Sequence, residues 1–341
     1  MPETTLILIG FVVVFALVFD FINGFHDSAN AIATSVLTRA LSMRNAVLLA
    51  ALCNFIGAII STGVAKTIGK DIVDPRMVSG SQGLYLVLSA LLGAIFWNLF
   101  TWWRGLPSSS SHALIGSLIG AAMAARGIGV LNGHGLKGIF AALIFSPLLG
   151  FFAGAMLMIL LMNIFAQQAP SKLNRHFKRL QVVSALSMAF THGSNDAQKS
   201  MGVITMALIV AGSPLMTDKG MMIPLWVTIA CATAMAVGSA AGGWRIIKTV
   251  GKKVMGLQPV HGFASETAAA MVILTATILK QPVSTTHVIS SAIMGVGSSK
   301  RLSAVRWNIV GQILLAWLMT LPACAGLGAA FYTIIHIIRA I

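Results

Sequence analysis

The chain has 341 residues, 57% of them hydrophobic and 9% charged, with a net charge of +15. A soluble domain carries about a quarter charged residues, so this composition excludes an ordinary water-soluble globular protein. Continuous apolar runs near the roughly 20 residues that cross a bilayer, without the alternation of a barrel strand, predict an all-α polytopic membrane protein whose surroundings are lipid.

The N-terminus, M-P-E-T-T, lacks a basic n-region and a cleavage site, which predicts a retained first span rather than a signal peptide. Apolar runs follow at about 4–22, 28–40, 46–65, 83–103, 109–125 and 137–165. The stretch 167–181 then carries Lys172, Arg175, Lys178 and Arg179 with no acid. Basic residues between spans orient loops toward the cytoplasm, so the central loop is expected there. This placement argues against a nucleic-acid partner, because no folded soluble face exists to present the charge. Further runs lie at 182–189, 197–211, 222–244, 262–279, 284–297 and 304–338. The last is long enough for two helices, with Pro322 at the expected break or kink. Cys53, Cys231 and Cys324 sit inside apolar runs without metal-ligand spacing and read as small buried residues. The 18 methionines read as packing.

Three motifs recur in the same order. G-F-H-D-S-A-N at 24–30 matches G-S-N-D-A-Q-K at 193–199, with Asp27 and Asp196 in register. K-T-I-G-K at 66–70 matches K-T-V-G-K at 248–252, and P-S-S-S-S-H at 107–112 matches P-V-S-T-T-H at 282–287. Collinear repeats at similar offsets identify a duplicated unit: a first transmembrane repeat over 1–165, a basic cytoplasmic linker at 166–181 and a second repeat over 182–341. The runs 28–40 and 284–297 are too short to span a bilayer and predict broken or re-entrant helices. Duplicated halves with interrupted apolar runs are the sequence pattern of a secondary transporter with its site at the repeat interface. Inverted topology of the halves is the corresponding expectation.

Of eight acidic residues, Asp20, Asp27, Asp196 and Glu266 lie in or beside apolar runs. A carboxylate at membrane depth is costly and marks an ion pathway. Asp27 and Asp196, with Asn30, Asn195, Ser28 and Glu266, form the expected cation site, because hard cations take carboxylate, amide and hydroxyl oxygens. The same two aspartates are the candidate metal ligands. Asp20 stands between that role and bracing a broken helix. The Pro-Ser/Thr motifs place Ser109, Ser110, Ser111, Ser284, Thr285 and Thr286 where hydroxyls cap a helix N-terminus, and a helix N-terminus attracts anions. Two such ends, one per half, are expected to hold a tetrahedral oxyanion; ordinary capping is the alternative. Lys199 supplies either a fixed positive charge for that anion or a partner for Asp196. His112 and His287 either donate to the anion or brace the turn, and with His26 and His192 they are the candidate proton relay.

These doubled motifs resemble the inorganic phosphate transporter family known as PiT, and the resemblance covers nearly the whole chain. It implies a helical bundle of two inverted repeats with about twelve segments, often dimeric. The implied activity is symport of orthophosphate with Na+ or H+ and no cofactor. It implies that Asp27 and Asp196 handle the cation, and that the Ser/Thr motifs with neighbouring Asn23 hold phosphate. The first copy has Phe25-His26 where the family has Ala-Asn, and the second ends in Gln198-Lys199. These departures keep Na+ coupling, H+ coupling and carriage of a neutral metal–phosphate complex all open. The expected function is a plasma-membrane phosphate:cation symporter working by alternating access, not an enzyme. The rivals are a sulfate or other oxyanion permease, a channel and an intramembrane aspartyl hydrolase.

Overall fold

The computed structural model describes residues 3–78, 80–218, 220–243, 247 and 254–340. Among them, eleven α-helices make up almost all regular structure. They are α1 (Glu3–Leu37), α2 (Met43–Ile60), α3 (Gly63–Asp71), α4 (Ser81–Arg104), α5 (Ser110–Arg126), α6 (Gly133–Ile164), α7 (Pro170–Val210), α8 (Leu225–Ala241), α9 (Pro259–Ile278), α10 (Thr285–Lys300) and α11 (Trp307–Ala340). A two-residue hairpin, Met216–Thr217 against Gly220–Met221, links α7 to α8. Five helices are long and apolar enough to cross a membrane: α1, α2, α4, α6 and all but the last residue of α11. The second K-T-V-G-K copy, 248–252, lies outside the described residues; the first forms most of α3.

The molecule is inside-out by the standards of a soluble protein. Leu318 and Met156 are 73% and 71% exposed, whereas Asp20, Asp196 and Lys199 are 0% exposed. Hydrocarbon accepts an apolar exterior at no cost, so polar groups collect where they can pair with one another.

Three expectations from hydropathy are corrected, and the basic stretch gains a secondary structure. The runs 4–22 and 28–40 are one uninterrupted 35-residue helix, α1, and 182–189 and 197–211 both belong to the 41-residue α7. Neither aspartate motif breaks its helix. The polar residues interrupt hydropathy without interrupting the backbone: they are buried, and Asp20, His26, Asp27, Ser28 and Asn30 each bond a residue of an adjoining helix. The basic stretch expected as a linker is helical from Pro170 onward, with Pro at a position where its missing N–H is harmless. The helix also continues through Pro322 in α11, as it does through Pro147 in α6, so the 304–338 run gives one helix. By contrast, the run 46–65 divides between α2 and α3 at Ser61–Thr62.

The halves are interleaved. α1 packs on α8 and α7 packs on α2, while α5 packs on α11 and α10 packs on α6. Small residues set the first two crossings. A Cβ on Gly24 would strike the backbone of Met235 and Ser239, and one on Gly238 the backbone of Phe21. A Cβ on Gly193 would strike Asn54, and one on Gly57 would strike Phe190. Glycine at these crossings lets backbones approach, as in membrane helix pairs generally. Gly193→Leu is therefore expected to cost about 1–3 kcal/mol or more by overpacking and to abolish a monodisperse peak in detergent size-exclusion chromatography. Gly10→Leu, at a position where a Cβ meets nothing, is the matched control and is expected to behave as wild type.

Candidate functional site

The two motif copies meet because α1 and α7 pack against each other with α10 ending between them. Asp20, Asn23, Asp27, Asn30 and Thr34 recur at three- and four-residue steps, which puts them on one face of α1. His192, Asp196 and Lys199 do the same on α7.

α4 ends at Gly105 with φ +67, and α9 ends just before Lys280 with φ +60. Each left-handed corner turns the chain into Pro107 or Pro282 and then into a short helix, α5 or α10. Only glycine takes such a φ freely, so Lys280 holds its corner at a cost of about 1 kcal/mol. Ser109 caps α5 by accepting from His112 N (3.1 Å), and Ser284 caps α10 by accepting from His287 N (3.2 Å). Capping, the alternative to anion binding, is thus what these two hydroxyls do here.

The hydroxyls one step further in reach the aspartates. Thr286 Oγ1 donates to Asp27 Oδ1 (2.9 Å) and accepts from Asn30 Nδ2 (2.9 Å). Thr285 Oγ1 donates to Asp196 Oδ2 (3.2 Å). A single helix N-terminus is therefore clasped by one aspartate from each motif copy. The α5 end adjoins it: Ser111 Oγ donates to Val283 O (2.8 Å), and the His112 and His287 rings lie 4.5 Å apart. Ser110 Oγ accepts from Asn98 Nδ2 (3.1 Å). Ser110 also interacts with Asp27, so the α5 end reaches one aspartate and the α10 end reaches both.

Both aspartates have basic neighbours. His26 Nδ1 is 2.6 Å from Asp27 Oδ1, and the other ring nitrogen faces Thr101 Oγ1 at 3.4 Å. Lys199 Nζ is 2.6 Å from Asp196 Oδ1, and His192 Nε2 is 3.6 Å from Oδ2. Of the two roles open for Lys199, pairing with Asp196 is the one seen.

Other expected ligands stand apart. Ser28 bonds Ser239 Oγ (2.7 Å) and accepts from Asn54 Nδ2 (2.9 Å), away from Asp27. Asn195 donates to Thr277 Oγ1 (3.0 Å) and Gln281 O (3.2 Å), bracing the α9–α10 corner. Both were expected beside the aspartates; on a continuous helix, neighbours in sequence point to different faces. Glu266 on α9 is also separate. It accepts from Thr34 and Ser35 of α1 and from Gln181 and Ser184 of α7. Thr34 lies two turns, about 10 Å, along α1 from Asp27. His287 stacks on Trp317 at 3.9 Å and His112 Nδ1 lies 2.8 Å from Ser109 Oγ, contacts that brace the turns.

Sequence reasoning missed the supports. Asn98 and Thr101 of α4 hold Ser110, Ser108 and His26. Asn54 of α2 ties Ser28, Ser239 and His192 together. The available signal was a lone asparagine within an otherwise apolar span, which has no reason to be there without a polar partner.

The sequence profile of the Phosphate transporter family matches residues 23–328. A relative from Bacillus subtilis (strain 168), described as "Probable low-affinity inorganic phosphate transporter", is 52% identical over 336 residues, covering 98% of this chain and 99% of its own. One of the same description from Rhizobium meliloti (strain 1021) is 44% identical over 327 residues, 96% of each chain. A solved structure, "The sodium-dependent phosphate transporter", superposes with a TM-score of 0.89 at 26% identity over 97% of this chain and 99% of that one. This chain belongs to the phosphate transporter family, whose members are membrane transporters and not enzymes.

Proposed function

We propose that the chain imports inorganic phosphate across the plasma membrane by symport with Na+ or H+, through alternating access. The observation that carries this reading is the α10 N-terminus, whose Thr285 and Thr286 donate to Asp196 and Asp27. A hydroxyl has one proton to donate. With the aspartates uncharged or cation-bound, both threonines turn that proton to an anion lying between the ends of α5 and α10. Phosphate and cation then each favour the other's binding, which is symport coupling in thermodynamic terms.

In this reading Asp27 and Asp196 take the cation, with Asn30 positioned through Thr286. Phosphate takes its donors from Ser110, Ser111, Thr285, Thr286, Lys199 and Asn23, while Ser109 and Ser284 hold the helix ends. Glu266, closed off by four donors from α1 and α7, is a second cation position on the same path. His26 and His192, beside the aspartates, are the proton relay; His112 and His287 keep the two ends together. Ser28 and Asn195 brace.

We further propose two inverted repeats of about twelve segments, over 1–165 and 182–341, joined at a cytoplasmic basic segment, 166–181. The reciprocal packing of α1 on α8 and of α7 on α2 supports this, as do the matched left-handed corners at Gly105 and Lys280. A homodimer is the assembly implied by the family resemblance.

The relatives' names favour phosphate over sulfate. The hydrolase reading requires two aspartates sharing a proton, whereas here each has its own threonine and its own basic neighbour. The test is uptake of labelled phosphate by proteoliposomes under separately imposed Na+ and H+ gradients. Uphill accumulation with one of them is expected, unaffected by a large excess of sulfate. Flux that neither gradient can drive uphill sinks the symport reading in favour of a channel.

A further inference from the structure

Asp20 is the intramembrane aspartate for which the cation site above has no use. It is fully buried on α1, two turns before Asp27. Asp27 and Asp196 have basic side chains at 2.6 Å. Asp20 accepts from Ser200 Oγ at Oδ1 (2.7 Å) and has the Cys231 thiol of α8 beside it as a weak donor, while no nitrogen or oxygen donor reaches its Oδ2. On the same face of α1 one turn onward, Asn23 is also fully buried, and neither its amide oxygen nor its nitrogen is bonded. Two neighbouring buried polar side chains thus leave three atoms unmatched. Each such atom costs about 1–3 kcal/mol in a protein interior, so each calls for a partner that the packed helices do not supply.

The groups that reach Asp20 are few. Ser200, Asp196 and Lys199 act on it from α7, and Cys231 from α8. α4 packs on α1 with a buried face that has no charged residue, and so does α2. Along α1 itself the next titratable groups are His26 and Asp27. α10 meets α1 through Thr286 and carries His287, and α9 meets it through Glu266 at the Thr34 level.

Lys199 acts on Asp20 without pairing with it, and a carboxylate in this surrounding needs a positive partner in contact. A hard metal cation needs about six oxygens. The side chains here offer four, Asp20 Oδ1 and Oδ2, Asn23 Oδ1 and Ser200 Oγ, and the carbonyls of the continuous α1 are engaged in its own helix. A proton needs only one acceptor beyond the carboxyl that carries it. We propose that Asp20 is the proton-carrying group of the transport cycle. The proton sits on Oδ2 and is accepted by Asn23 Oδ1, which orients the amide so that Nδ2 points its hydrogens toward the phosphate site. Loading the proton and loading the anion are then linked through one side chain. Release of the proton on the far side returns the carboxylate to the reach of Lys199.

This rests on the phosphate-transport reading, and the experiment separates the two. The full chain is reconstituted in proteoliposomes, and labelled phosphate is followed in two modes: net uptake driven by an imposed pH gradient, and phosphate–phosphate counterflow, which moves no net proton. Wild-type counterflow establishes phosphate as substrate independently of Asp20. In Asp20→Asn, counterflow is expected to persist while gradient-driven uptake falls by about tenfold or more. Asp20→Glu is expected to restore it. Ser200→Ala, which removes the hydroxyl that donates to Asp20 Oδ1, is expected to move the pH profile of net uptake and provides a readout if Asp20→Asn fails to fold. Proton-driven uptake undiminished in Asp20→Asn overturns the proposal, as does loss of both modes in a folded variant or a pH profile that Ser200→Ala leaves in place. A wild type driven only by Na+ overturns it as well.

Discussion

Asp27→Asn is expected to reduce gradient-driven phosphate uptake by about 10- to 100-fold, the value of one or two charge-assisted hydrogen bonds, with the folded state retained. The carboxylate accepts from two sides at once: His26 Nδ1 at 2.6 Å and Thr286 Oγ1 at 2.9 Å, both on Oδ1. An amide of the same shape keeps one acceptor oxygen but presents an N–H on the other branch and carries no charge. The cation loses its anionic ligand, and Thr286 is no longer switched between carboxylate and phosphate. Asn30, which donates to Thr286, keeps the local geometry, so thermal unfolding in detergent is expected to stay near wild type. Undiminished uptake in a proteoliposome assay eliminates Asp27 from the coupling site, and with it the exchange of hydroxyl partners on which the symport reading stands. Thr286→Val discriminates further: it leaves Asp27 charged but removes the donor, and the predicted result is weakened phosphate affinity with cation dependence preserved.

What hydropathy and motif spacing made legible was chemistry, not segmentation. The pairing of Asp27 with Asp196 and of 107–112 with 282–287 identified residues that the fold brings to one place. The boundaries failed where polar residues fall inside a continuous helix. Asp20, Asn23, His26, Asp27, Ser28 and Asn30 lower the local hydropathy of α1, and a window average cannot tell a polar helix face from a loop. The face is visible only once the three- and four-residue steps between these residues are read as helical. Ser28 and Asn195 bond groups other than the aspartates, since adjacency in sequence is not adjacency on a helix. The asymmetry between α5 and α10 was not legible at all. Ser111 and Thr286 match in the motifs, yet one bonds a backbone carbonyl and the other an aspartate. Which hydroxyl faces which carboxylate depends on how the interleaved halves dock, and docking is set by glycine crossings such as Gly24 with Gly238 that carry no polar signal.

Lys199→Met is expected to be among the most destabilising single changes in the protein, costing about 3–5 kcal/mol by leaving a buried charge unpaired. Lys199 and Asp196 are both 0% exposed, and their 2.6 Å contact is the closest opposite charge that Asp196 has. Methionine fills a similar volume, so the loss is electrostatic rather than a cavity. The control is the double variant Lys199→Met with Asp196→Asn, in which both members of the 2.6 Å pair are removed together. Its thermal midpoint in detergent is expected to recover most of the loss, because replacing both members of a buried pair is far less costly than breaking it. The double variant is nonetheless expected to be inactive in phosphate uptake, since one of the two cation-facing aspartates is gone. A single variant as stable as wild type assigns compensation of Asp196 to His192, 3.6 Å away, and removes the lysine from the pair. A double variant no more stable than the single one shows that Lys199 holds α7 by contacts other than Asp196. The cycle thus separates the two roles that the sequence left open for this lysine: a stability effect that vanishes with Asp196 belongs to the ion pair, and a defect in phosphate affinity that survives at Asp196→Asn belongs to the anion.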